Sequence, residues 1–206
     1  NGSSELMTNL SASLVNVLYN FQLMAIAGEN GVAAYGVIMY VNFIFTAVYF
    51  GYAVGCAPII SYHFGADNHT ELKNLFRKSL IITAVLGLAM MISSQILASP
   101  LAKIFVGYDA ELFELTCHGF RIYAFSFLLC GFNIFSSAFF TALNNGAVSA
   151  GIAFLRTLVF QLAAILILPG LLGIDGVWLA IVAAEILALT VSVYFFISRK
   201  KQYHYA

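Results

Sequence analysis

Residues Gly119–Leu143 read GFRIYAFSFLLCGFNIFSSAFFTAL, and Arg121 is the only charged residue among them. A helix needs roughly 20 apolar residues to cross a hydrocarbon layer about 30 Å thick, and this run is long enough. In lipid, each backbone amide must find its partner within its own segment or in a closed barrel. The sequence has no short alternating strands of the barrel type, so this run predicts a transmembrane helix.

Five more runs of the same kind lie on either side of this one. They are Leu6–Ala27, Val32–Tyr62, Ser79–Ser99, Ala150–Leu172 and Gly176–Ile197. Val32–Tyr62 is longer than a bilayer requires, so we expect it to tilt or bend, with Pro58 marking the bend. The predicted fold class is all-α: a polytopic membrane protein with a six-transmembrane-helix bundle over residues 1–198 and a basic tail over residues 199–206.

The composition agrees with this class and excludes several others. The chain is 62% hydrophobic and 9% charged, whereas a soluble domain carries about a quarter charged residues. The apolar composition leads us to expect a lipid bilayer around the chain. Its net charge is zero, so we expect no nucleic acid as a partner. The three cysteines have no disulfide or zinc spacing, and no nucleotide or nucleophile motif is found, so we expect no metal, no cofactor and no enzymatic activity. The chain begins with Asn1-Gly2 rather than Met, so we expect it to be part of a longer protein.

The basic residues predict the orientation, because Lys and Arg concentrate in cytoplasmic loops. Seven of them fall on the side of the two termini: Lys73, Arg77, Lys78, Arg156, Arg199, Lys200 and Lys201. Only Lys103 and Arg121 fall on the opposite side. We therefore expect a multi-pass protein of the plasma (inner) membrane with both termini in the cytoplasm.

Three of the six runs carry polar residues at steps of three or four, which places each set on one helix face. The sets are Asn9, Ser13, Asn16 and Asn20; Asn42, Thr46, Tyr49 and Cys56, with the apolar Ala53 between the last two on the same face; and Ser126, Cys130, Asn133, Ser137 and Thr141. Small polar residues often join membrane helices, so helix packing is one interpretation of these faces. Polar groups are costly to bury in a membrane, and the asparagines favour the other interpretation, a water-filled cavity.

Two ionisable residues lie well inside the runs, Glu185 in the sixth and Arg156 in the fifth. The two runs are neighbours joined by a short loop, and the depths of the two residues differ by about two turns or less at 1.5 Å per residue, so an ion pair is feasible. The pair either holds two helices together or, since an intramembrane carboxylate suggests function, takes part in ion coupling.

Four motifs, in this order, resemble the multidrug and toxic compound extrusion (MATE) family. They are Gly2-Ser3-Ser4 with Asn9-Leu10-Ser11, Pro58-Ile59-Ile60 with Phe64-Gly65-Ala66, Ala142-Leu143-Asn144-Asn145-Gly146, and Gly173-Ile174-Asp175-Gly176-Val177-Trp178-Leu179-Ala180 followed by Glu185. The resemblance covers essentially the whole chain. It implies that the chain is the C-terminal six-helix lobe of a twelve-helix transporter, whose partner is an N-terminal six-helix lobe.

The resemblance further implies an antiporter that expels small cationic, amphipathic compounds, driven by a sodium or proton gradient. It implies that the first, second and fourth helices face the central cleft, where the polar faces lie. The expected cavity residues are Asn9, Asn16, Asn20, Asn42, Tyr49 and Asn133, and the ring of Tyr49 offers a surface for a cation. Asn9 and Asn133 stand near positions where family members carry carboxylates, and asparagine cannot take up a proton, so sodium and proton both remain open.

Two other functions fit the sequence less well. A lipid-linked oligosaccharide flippase of related architecture needs cationic side chains to hold a pyrophosphate, and none of the polar faces carries Lys or Arg. A non-transporting membrane scaffold would bury its polar faces in dry helix contacts.

The predicted orientation places residues 63–78 in the cytoplasm. In a protein with the native cysteines replaced, a cysteine introduced at Asn68 should react with an impermeant thiol reagent only from the cytoplasmic side. Labelling of intact cells from outside would show that the orientation is inverted.

Overall fold

The computed structural model describes the backbone of residues 2–205 and the side chains of residues 11–205. All regular structure in this part is helical, which confirms the predicted all-α class. The helices are α1 (Gly2–Gly65), α2 (His69–Val106), α3 (Ala110–Tyr123), α4 (Phe125–Ala142), α5 (Gly146–Phe154), a π-helix (Leu155–Phe160), α6 (Gln161–Leu172) and α7 (Ile174–Tyr203).

The break inside α1 lies at Gly28, which has φ 61° and ψ −149°. A residue with a Cβ rarely adopts this conformation, so glycine allows the chain to turn between two helical arms. We call residues 2–27 the first arm and residues 29–65 the second arm. Gly28 is the residue of α1 with non-helical angles, and Pro58 lies within the helical second arm, so the tilt or bend expected for Val32–Tyr62 stays a prediction.

Five helical segments of the described residues are long and apolar enough to cross a membrane. Since one of them is α1 with its two arms, the bundle offers six crossings. Two predicted runs are subdivided: Gly119–Leu143 falls on α3 and α4, and Ala150–Leu172 includes the π-helix. Each π turn holds one residue more than an α turn, so it rotates the side chains on either side of it relative to one another.

Short polar turns connect the helices at both ends of the bundle. Asn68, Asp109 and Asn145 each accept a hydrogen bond from the backbone N–H three residues later, at 3.2, 3.0 and 3.2 Å. These side chains satisfy amides that the first turns of α2, α3 and α5 leave unpaired. The caps explain why polar residues interrupt the apolar runs at these places.

The described part of the predicted basic tail, residues 199–205, continues α7 and is folded onto the bundle. Helix α7 continues to Tyr203, whose hydroxyl accepts a hydrogen bond of 2.8 Å from Asn145 Nδ2. Tyr205 packs on Phe76 and Phe139 with ring centroids 4.9 Å apart in each case. Burial raises the pKa of the Tyr205 hydroxyl. We call this end, which also carries the turns at residues 66–68 and 143–145, the C-terminal end of the bundle.

Helix α4 occupies the centre of the bundle and packs against α1, α2, α5 and α7. Its closest approach to the second arm is at Gly131, where the ring of Tyr49 fills the space that a side chain would need. The Tyr49 hydroxyl donates a 2.7 Å hydrogen bond to the carbonyl of Phe127. Contact at this point therefore depends on the absence of a Cβ at Gly131.

Gly131→Ala should destabilise the bundle by about 1–3 kcal/mol, because the new methyl group would overlap the Tyr49 ring. The matched control is Gly151→Ala in α5, where an added Cβ meets no atom within 4 Å. There the better helix propensity of alanine should leave stability unchanged or slightly higher. Thermal unfolding of both full-length variants in detergent measures the difference, and equal melting temperatures would contradict the close contact.

Candidate functional site

A buried ion pair joins α7 to the π-helix. Arg156 Nε donates to both carboxylate oxygens of Glu185, at 2.9 and 3.0 Å, and Nη2 lies 2.8 Å from Oε1. The Glu185 side chain is 2% exposed and that of Arg156 is 14% exposed. The ion pair that the sequence made feasible therefore forms, with the arginine as its more accessible member.

Asn133 extends this pair into a network that includes α4. Its Nδ2 donates to the backbone carbonyl of Glu185 at 3.0 Å and to Oε2 at 2.7 Å. Its Oδ1 accepts a 2.9 Å hydrogen bond from the hydroxyl of Ser192. Asn133 is fully buried, and both ends of its amide are satisfied, as a polar group inside a membrane protein requires.

A polar cavity of about 170 Å³ lies on the side of the ion pair away from the C-terminal end. It is lined by both arms of α1, by the start of α4 and by α6 and α7, and its polar lining residues include Asn16, Asn42, Thr46, Ser126, Gln161, Arg156 and Glu185. The hydroxyl of Tyr35 donates to Asn16 Oδ1 at 3.1 Å. Tyr19 also lines the cavity, and its buried hydroxyl contacts no hydrogen-bonding atom of the described residues. A polar space of this size accommodates several water molecules.

A larger groove of about 780 Å³ lies on the opposite side of the pair, towards the C-terminal end. It runs between the second arm, α4 and α5, and we call it the α4–α5 groove. One wall carries a chain of hydroxyls, in which Ser149 Oγ lies 2.9 Å from Ser137 Oγ and 2.7 Å from Thr141 Oγ1. The other wall is apolar and includes Phe50, Val54 and Pro58. Arg156 lines both the groove and the polar cavity, so the ion pair stands between them.

The structure divides the predicted cavity residues into separate groups. Asn16 and Asn42 line the polar cavity, and Asn133 lines the groove as part of the buried network. Asn20 lines neither space, and its Nδ2 instead donates to the backbone carbonyl of Asn16 at 2.9 Å. The side chain of Asn9 lies outside the described residues.

The prediction that Tyr49 offers its ring to a cation is wrong. Its side chain is 2% exposed, and its ring lies against Gly131 while its hydroxyl is bonded to Phe127. The helical spacing that placed Tyr49 beside Asn42 was correct for the second arm, but α4 covers that part of the face. A glycine on the opposing helix was the sequence signal for this close contact.

Sequence reasoning missed the tyrosines of the polar cavity and the partner of Asn133. Tyr19 and Tyr35 stack with ring centroids 5.3 Å apart, which joins the two arms of α1 at the cavity. Tyr19 lies three residues after Asn16 and thus on the same helix face, so it was within reach of the pattern. Ser192 lies seven residues after Glu185 and thus on the same helix face, so it too was within reach of the pattern.

The sequence matches a known protein family. A family model described as MatE matches residues 6–167. This chain belongs to the MatE family. The resemblance that its motifs suggested is thereby confirmed, and MatE family members are transporters and not enzymes. No curated protein matches the chain at a significant level.

Solved structures of MATE transporters share the fold of this MatE chain. An outward-facing multidrug resistance MATE family transporter superposes with a TM-score of 0.90 at 22% identity, covering 100% of this chain and 46% of its own. An inward-facing structure of such a transporter superposes with a TM-score of 0.89 at 22% identity, covering 98% of this chain and 47% of its own. A Vibrio cholerae MATE transporter in its bent form superposes with a TM-score of 0.84 at 20% identity, covering 98% of this chain and 45% of its own. The chain thus spans about half the length of these proteins, and it matches outward- and inward-facing forms equally well.

The described part of this MatE chain contains no cluster of three or more His, Cys, Asp or Glu residues that would hold a metal ion. All three cysteines are free. The exposed pair of His118 Nε2 and Asp175 Oδ1, 2.6 Å apart, joins α3 to α7 at the end of the bundle opposite the C-terminal end.

Replacing either Arg156 by Gln or Glu185 by Gln should cost about 3–5 kcal/mol of stability, because each change leaves a buried charge without its partner. The double variant should recover most of this loss. The matched control is the exposed pair: changing His118 to Gln, Asp175 to Asn, or both should cost about 1 kcal/mol or less.

Thermal unfolding of the six full-length variants measures these differences. A Glu185→Gln protein that is as stable as the unchanged one would show that the pair has no structural role. If that variant also lost gradient-driven export, Glu185 would be a coupling residue instead.

Proposed function

We propose that the chain forms one lobe of a secondary active antiporter that exports amphipathic organic compounds by alternating access. The observation that carries this proposal is the pair of spaces on either side of the buried Arg156. A membrane-spanning bundle of this size would close its polar faces against one another if its only role were structural. Here hydroxyls, amides and a guanidinium line a cavity and a groove instead.

The polar faces also distinguish this proposal from the two alternatives. A scaffold subunit is expected to have dry faces, whereas Asn16 and Asn42 line a polar cavity. A pyrophosphate-binding flippase is expected to have several cations in its cavity, whereas Arg156 is the only cationic residue lining the groove or the cavity in the described part.

The partner in this proposal is a second six-helix lobe, against which the exposed apolar sides of α1 would pack. Large apolar side chains such as Phe21 and Phe43 are more than two-thirds exposed on these arms. Lipid and the second lobe are the two environments that would cover them. In alternating access, two such lobes rock about a site near the membrane centre, the depth at which Arg156 and Glu185 meet.

The driving ion, sodium or proton, is part of the same proposal. Glu185 is the only carboxylate deep within the described spans, and Arg156 already neutralises it. Binding a cation there would require breaking the pair. We therefore place the main coupling carboxylate in the second lobe, and we propose that this lobe contributes compound binding. The expectation that the exported compounds are cations stays a prediction. The charges of the residues that line the cavity and the groove are the structural evidence for or against it.

Asn16→Leu and Asn42→Leu should each lower export by the full-length transporter. The loss of one hydrogen bond between an uncharged amide and the exported compound, about 1–1.5 kcal/mol, would lower export roughly tenfold. Folding should be unaffected, because both side chains border the cavity rather than the core. Asn20→Leu is the matched control on the same helix face and should export normally. Accumulation of amphipathic dyes in cells, with and without a collapsed ion gradient, measures export, and membrane expression measures folding.

Unchanged export by both variants would contradict the role of the polar cavity. Export that persists without any ion gradient would contradict a secondary antiporter.

A further inference from the structure

The α4–α5 groove has an uneven distribution of charge. Among the described residues, Arg156 is the only charged one that lines it, and the remaining polar lining is hydroxyl or amide, from Ser61, Asn133, Ser137, Thr141, Ser149 and Thr157. Glu185, which balances Arg156, does not line the groove, and its side chain is 2% exposed. A molecule in the groove therefore meets the guanidinium before the carboxylate.

The guanidinium also has unused donors. Glu185 occupies the edge formed by Nε and Nη2. The N–H groups of Nη1 make no hydrogen bond to any described residue. Arginine presents five N–H donors in a fixed plane and suits carboxylate oxygens, so a second carboxylate can bind at the free edge.

The rest of the groove fits an amphipathic body. Its volume of about 780 Å³ lies in the range of pockets for drug-sized molecules. The apolar wall of the second arm faces the hydroxyls of α4 and α5, so a ligand would have one dry and one polar side. The π-helix that carries Arg156 and Thr157 supplies a second indication, since single π turns inside α-helices often occur at functional sites.

We propose that the α4–α5 groove binds amphipathic compounds that carry a carboxylate, with the carboxylate on the free edge of Arg156 and the apolar body against the second arm. This inference rests on the proposed transport function and names a substrate class within it. The carboxylate is the required group, so zwitterions that also carry an ammonium belong to the class. Purely cationic compounds do not, because none of the described residues that line the groove has an anionic side chain.

Three probes with one apolar body test the charge preference: 4-(1-pyrenyl)butyrate, 4-(1-pyrenyl)butanol and 4-(1-pyrenyl)butyl-trimethylammonium. Pyrene fluorescence measures their binding to the full-length transporter in lipid nanodiscs, with empty nanodiscs as the blank. The carboxylate should bind about tenfold more tightly than the alcohol, as expected for one hydrogen-bonded charge pair, and the ammonium should bind most weakly.

Variants locate the site. Arg156→Gln combined with Glu185→Gln should abolish the preference for the carboxylate while the alcohol still binds. Arg121→Gln removes the same charge from α3, outside the groove, and should keep the preference. Because the double variant alters a buried network, Ala153→Leu supplies a second test: its side chain fills the groove and should weaken all three probes, whereas Ala147→Leu, exposed on the same helix, should weaken none.

Several results would overturn the inference: equal binding of the three probes, tightest binding of the ammonium, no binding at all, or a carboxylate preference that survives both the double variant and Ala153→Leu. Gradient-driven export of the ammonium probe without carboxylate binding would reject this substrate class and leave the proposed function standing. Carboxylate binding without gradient-driven export of any probe would support the site and reject the proposed function.

Discussion

The buried pair of Arg156 and Glu185 sets the positions of the elements around it. An ionised carboxylate cannot remain alone in a membrane interior, so α7 must lie where Arg156 can reach it. Asn133 adds two donated hydrogen bonds to the same residue and thereby brings α4 to the same place. Three helical elements are thus fixed relative to one another by one side chain that is 2% exposed. Apolar contacts alone would tolerate small shifts along the helices, whereas these bonds do not.

Close-packed dry contacts and polar spaces lie in different parts of this bundle. Close contacts such as Tyr49 on Gly131 hold α4 against the second arm without leaving room for water. The aromatic cluster around Phe76, Phe139 and Tyr205 closes the C-terminal end in the same way. Between these dry regions, the cavity and the groove are the places where hydroxyls and amides of several helices face one another. The dry contacts hold the helices together around these polar spaces, and the resulting fold matches outward- and inward-facing transporters equally well.

The sequence predicted most of the fold because membrane helices leave a strong signal. Length and apolarity identified the six runs. Helical spacing grouped Asn16 and Asn42 with the other polar residues of their helix faces, and in the structure both side chains line the polar cavity. The failures have local causes. The ring of Tyr49 shares a face with Asn42 but is covered by α4, and spacing along one helix cannot show what packs against it. The residues of the π-helix, Leu155–Phe160, show no pattern that distinguishes them from those of the α-helices on either side. The turn at Gly28 depends on backbone angles that many glycines in helices never adopt.

Asn133 and Asn16 have the same side chain in different surroundings, which shows why residue type alone does not identify a cavity. Asn16 borders a polar space, and its side chain has one protein partner, the hydroxyl of Tyr35. Asn133 is fully buried, and its amide is engaged by Glu185 and Ser192. A buried amide with every bond made holds helices together, whereas an amide at a cavity wall is free to exchange partners with water or a ligand. The chemistry of this lobe therefore depends on the groups whose bonding capacity is unfilled, and Arg156 is the only cationic residue that lines the groove in the described part of the chain.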